Sequence, residues 1–116
     1  MSLSLPPDLL RVFAALEDPE AIDLILQDLL SPAELRSVRE RWAIVSGLAA
    51  GQTQREVKQN VGVAIATVSR GAHQLRSGAG GFDLAFETLK ALGLEDPRAS
   101  AAPLRAVPPA DQDERS

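Results

Sequence analysis

Cysteine and tyrosine are absent from this 116-residue chain, which has one histidine, one tryptophan and three phenylalanines. Without cysteine there is no disulfide framework, thiolate metal site or cysteine nucleophile. His73 cannot assemble a multi-histidine metal centre by itself. No stretch approaches the roughly 18 apolar residues that a membrane-crossing helix needs. The start, MSLSLPPDLL, lacks the basic segment and long apolar core of a secretory signal, so the expectation is a soluble, cytoplasmic protein with no membrane partner. Aromatics make up only 3% of residues against 45% hydrophobic overall. A core of Leu, Val, Ile and Ala suits packed helices better than a sandwich of short strands.

The formal charge of −4 argues at first against a nucleic-acid partner, but its distribution argues for one. Residues 1–30 carry one arginine against six carboxylates, net −5, and residues 77–116 are net −3. Between them, residues 31–76 carry Arg36, Arg39, Arg41, Arg55, Lys58, Arg70 and Arg76 against Glu34, Glu40 and Glu56, net +4. A ligand meets the local field, because salt screens charges beyond about 8 Å. A basic middle is therefore compatible with DNA.

Caps and breakers predict six short helices. Pro6 and Pro7 precede the first, which carries Leu9, Leu10, Val12, Phe13 and Leu16. Asp18 followed by Pro19 is a cap with proline at the first helical position of the second. Ser31, Pro32 and Glu34 form a capping box that starts a third helix running to Gly51. Thr53 and Glu56 repeat the box, so a fourth helix over about 54–60 turns sharply away. Gly62 closes it, a fifth runs from about Ala64 to Leu75, and Ser77–Gly81 breaks the chain before a sixth over Phe82 to Leu92. Residues 1–94 are read as one all-α domain, and 95–116, rich in Pro, Ala and charge, as a disordered tail. The third helix is apolar most of the way round (Val38, Trp42, Ala43, Ile44, Val45, Leu48, Ala49, Ala50) and must be covered on several sides. About ninety residues in short helices give one chain little to cover it with, so an interlocked homodimer is expected.

Residues 53–75 are a helix-turn-helix candidate. Val57, Val61, Val63 and Val68 lock the two helices, and Ala64, Val68, Ala72 and Leu75 form the buried stripe of the second. Ile65, Ala66, Ser69 and His73 fall opposite, beside Thr67. Small residues let a helix sit deep in a major groove, where Ile65 and Ala66 can meet thymine methyls. Gln54, at a helix start, offers backbone N–H groups to phosphate. Arg55 and Lys58 can contact phosphate or guanine. The competing readings are a pair of packed helices with a solvated basic face, and a helical dimerisation or protein-interaction module that docks through the acidic first helices. An enzyme is not expected, because Ser31, Ser69 and His73 make no nucleophile–base–orienter set.

The strings Leu30-Ser-Pro-x-Glu, Arg41, Gln54-Arg-Glu-Val-Lys, Val61-Gly and Ile65-Ala-Thr-Val-Ser-Arg-Gly resemble the Trp repressor family over residues 9–92. The link between Gly51 and Thr53 is one residue shorter than in its best-known member, and Lys58 stands where many such motifs have a small residue. The resemblance implies an intertwined dimeric repressor of the Trp repressor type with L-tryptophan as corepressor and no prosthetic group. Its partner is a near-palindromic duplex operator; Trp repressors are themselves among the proteins for which this docking is described. By the same likeness Arg41 and Arg70 flank the indole, Arg70 takes the carboxylate, Ser31 stands for a threonine near it, and Gly71 makes room for the ring. Two positions depart: Gln74 replaces the serine that helps bind the ammonium, and Asp28 replaces a leucine that contributes its backbone carbonyl. Regulation without tryptophan is the alternative within the family.

Overall fold

The computed structural model describes residues 4–100, whose elements in order are α1 (Pro7–Ala15), α2 (Pro19–Leu29), α3 (Pro32–Ala49), α4 (Gln54–Val61), α5 (Ile65–Ser77), α6 (Gly81–Ala91) and a 3-10 turn (Pro97–Ser100). No strand occurs among the described residues. Each helix lies within two residues of where the caps place it. None of the helices is long and apolar enough to cross a membrane.

The chain divides into two compact units, residues 1–38 and 39–116, with the boundary inside α3. In the first unit, the Asp18 side chain accepts from the Glu20 N–H at 3.0 Å and proline occupies the first turn of α2. The start of α3 is held by the reciprocal box: the Ser31 N–H donates to Glu34 Oε1 at 2.8 Å, and the Glu34 N–H donates to Ser31 Oγ at 3.1 Å. These bonds satisfy donors that a helix start leaves open. Neither α1 nor α2 has a buried residue.

The second unit has a closed centre. Ile44, Val57 and Val68 are buried together, with Leu48, Val61 and Val63 packed against them. Val45 and Phe86 are also fully buried. Trp42 lies beside Phe86 and Phe82, with ring centroids 5.7 and 6.4 Å away in tilted geometry.

The described chain continues past residue 94, where composition puts the start of the tail. Asp96 is buried and binds Arg98 through both side-chain oxygens, at 2.7 Å in the shortest contact. Arg98 also reaches Glu87 at 3.0 Å and stands 5.7 Å from the Phe86 ring centre. The hydrogen bond from Arg98 holds the Asp96 carboxyl below its ordinary range, against the opposing effect of desolvation. The same bond, then that to Glu87, raises the Arg98 pKa further. Residues 101–116 lie outside the described residues, so the rest of the expected tail does too.

Candidate nucleic-acid interface

Helix α4 is short because both ends are specified. Thr53 and Glu56 close a capping box at 2.8 and 3.1 Å. Gly62 ends the helix at φ 83°, in the left-handed region that glycine enters without a side-chain penalty. Residues 62–64 form the turn, Ala64 caps α5 without a side-chain bond, and Val57 and Val68 meet at zero exposure.

This pair is set closely on the part of α3 that lies in the same unit. A methyl built on Gly71 would stand 2.6 Å from Ile44 Cγ2, so the missing side chain lets α5 approach α3 there. A methyl on Gly47 would meet Gln52 Oε1 at 2.9 Å and Val57 Cγ2 at 3.1 Å. Gln52 Oε1 in turn accepts from Asn60 Nδ2 at 3.3 Å, tying the link before α4 to its last turn.

On α5, Ile65, Ala66, Ser69 and His73 are all exposed. Gln54 is half-buried, and its Oε1 accepts from Ser69 Oγ at 2.9 Å, which joins the start of α4 to the middle of α5. Thr67 is half-buried and its hydroxyl accepts from Arg70 Nη2 at 3.4 Å. Arg55, Lys58 and Arg70 are exposed, and among the described residues none of them is in an ion pair. On the inner side Val68 and Ala72 are buried and Leu75 is half-buried. Ala64 is exposed instead, because as the cap residue it precedes the first turn and lies off the stripe. The result is a small-faced helix beside uncompensated cations, an arrangement that admits an anionic, grooved partner.

The expected ligand residues fall in different settings. Arg70, Gly71 and Gln74 share α5, with Arg70 and Gln74 exposed and Gly71 turned to Ile44. Arg41 is exposed on α3. Ser31 belongs to the first unit, where its hydroxyl serves the capping box, and Asp28 is exposed near the end of α2. Sequence reasoning did not identify the Gly47–Gln52–Asn60 contacts or the Ser69–Gln54 bond. Polar pairs eight and fifteen residues apart leave no periodic signal.

By build, α4 and α5 form a helix-turn-helix. A family model described as Trp repressor protein matches residues 7–90, and the chain belongs to the Trp repressor family. It is 37% identical over 71 residues to a Trp operon repressor homolog of Chlamydia caviae, covering 60% of this chain and 70% of that one. A homolog of the same name from Photobacterium profundum is 40% identical over 70 residues, covering 60% of this chain and 65% of its own. That from Vibrio cholerae is 31% identical over 94 residues, covering 80% and 77%. No solved structure matches.

Proposed function

We propose that this protein is a cytoplasmic, homodimeric transcriptional repressor that binds a near-palindromic duplex operator through α4 and α5, with L-tryptophan or a related small aromatic ligand as corepressor. It is a regulator, not an enzyme. The observation that carries the reading is the exposed flank of α5: Ile65, Ala66 and Ser69 open to solvent on a helix whose inner stripe is locked by Val68 and Ala72, beside Arg55 and Lys58 with no acidic partner among the described residues. Two such heads related by a dimer axis meet successive major grooves about one helical turn apart. Family membership supports the repressor role and the amino-acid ligand.

Arg41 and Arg70 suit that ligand, because guanidinium planes stack on aromatic rings and grip carboxylates in two places. Ser31, Gly71 and Gln74 complete the proposed set. The ligand acts by population shift, favouring the head spacing that the operator accepts.

The test is binding of the full chain to duplexes selected from a random pool, with and without tryptophan, at several salt concentrations. Affinity for DNA should fall steeply as salt rises. Arg70→Ala should lose both ligand and operator affinity, each by about tenfold or more, since charge-assisted bonds are worth roughly 1.5–3 kcal/mol. Lys58→Ala should lose DNA affinity alone. Calorimetry showing normal tryptophan binding by Arg70→Ala would remove the ligand assignment. Operator binding unchanged by tryptophan would move the protein to the tryptophan-independent alternative, and no duplex binding would leave the dimerisation-module reading.

A further inference from the structure

On the exposed side of the helix-turn-helix, Ser69 Oγ donates to Gln54 Oε1 at 2.9 Å across fifteen residues of sequence. This bond does more than join two helices. A glutamine amide has one acceptor end and one donor end, and nothing intrinsic says which faces outward. A serine hydroxyl can serve either end; here it donates to the oxygen, which leaves the NH₂ end of Gln54 as the donor. Gln54 is the first residue of α4, and Ser69 lies on the same face of α5 as Ile65 and Ala66, one turn further on. The oriented amide therefore stands at the edge of the reading face, where the acceptors on a duplex are phosphate oxygens and the N7 and O6 atoms of purines.

We propose that Ser69 is a positioning residue: its hydroxyl fixes the Gln54 amide so that Gln54 donates to an acceptor on the bound duplex. This rests on the DNA-binding reading above and specifies how one part of that face works. Without the hydroxyl, Gln54 must be oriented at the moment of binding, or presents its oxygen to another acceptor and is repelled. Glutamate at position 54 would keep an acceptor for Ser69 but offer no donor to the duplex.

The experiment is a double-mutant cycle on the full-length protein, measured by fluorescence anisotropy on a duplex selected by the unaltered chain, with tryptophan if the selection needed it. Ser69→Ala and Gln54→Ala should each weaken binding by about five- to tenfold, the range of a single hydrogen bond lost. The double variant should be no weaker than Gln54→Ala by more than about twofold, because the two residues act through one contact. Ser69→Thr, which keeps the hydroxyl, should bind nearly as the unaltered chain does, and Gln54→Glu should bind more weakly than Gln54→Ala. Thermal unfolding of Ser69→Ala should shift only slightly, because the bond it loses is exposed to water. Selection with Ser69→Ala separates the acceptors: uniform weakening marks a phosphate, and relaxed preference at one position marks a purine edge. Multiplying losses in the double variant, an unaffected Ser69→Ala or a Ser69→Thr as weak as Ser69→Ala would each overturn the assignment. Absence of duplex binding by the unaltered chain would instead overturn the function on which it rests.

Discussion

The two units use the same helix-start chemistry and reach opposite outcomes. Ser31 with Glu34 and Thr53 with Glu56 close capping boxes of the same two lengths, 2.8 and 3.1 Å. Yet α4 contributes a fully buried valine, whereas α1 and α2 bury nothing and leave Leu10, Val12, Leu24 and Leu29 more than two-fifths exposed. Local signals specify that a helix forms and where it starts, while burial depends on what lies opposite. The second unit closes a centre of its own from α3, α4, α5 and α6, although it too leaves Leu84 and Leu92 at 69% and 66% exposure. Helices with apolar faces left bare in the first unit are what a second copy of the chain would cover, which is the physical support for the proposed dimer.

The comparison can be broken most severely at Phe86, at zero exposure. Phe86→Ala should cost about 3–5 kcal/mol, measured by urea unfolding. A much smaller loss would mean that the second unit is less self-sufficient than its burial indicates. Leu24→Asp tests the other side. At 66% exposure it has little to lose within one chain. If it faces a second copy, sedimentation should shift from dimer toward monomer at micromolar concentration; an unchanged mass would remove Leu24 from the interface. Gly71→Ala should destabilise by about 1–2 kcal/mol, because crowding Ile44 outweighs the gain in helix propensity of up to about 1 kcal/mol. The finest comparison is between the caps. Thr53→Ala and Ser31→Ala should each cost about 1 kcal/mol, but only Ser31→Ala should also weaken tryptophan binding, as read by calorimetry.

Much of this architecture is legible in the chain itself. Pro7, Pro19 and Pro32 each occupy the first helical position, the two boxes place α3 and α4, and Gly51 and Gly62 take positive φ where helices must stop. The reading face is legible only in part: Val68 and Ala72 mark the inner stripe of α5 and set Ala66 away from it, but by helical spacing Ile65 and Ser69 flank that stripe, and their exposure is a finding of the structure. Ala64 escapes because stripe arithmetic extends a helix one residue too far when no side-chain cap marks its start. Side-chain pairing is harder to read. Gln54 and Ser69 are each singled out in the sequence for contact with DNA, but nothing there pairs them, and only the turn at Gly62 brings them together. Asp96 and Arg98 are hidden by composition: a Pro- and Ala-rich segment gives no periodic signal, yet one buried carboxylate and one guanidinium are enough to hold it. For Gly71, a small residue reads equally as room for a ring or as room for a neighbouring helix, and here Ile44 is the neighbour.

That last carboxylate–guanidinium pair has a practical consequence for anyone shortening the gene. The stretch shared with relatives by the family model ends at residue 90, and a boundary chosen there would look safe. It would discard Asp96 and Arg98, stripping the cation from over Phe86 and leaving Glu87 without its partner. A truncated version that misbehaves in solution would then report on the cut and not on the regulator.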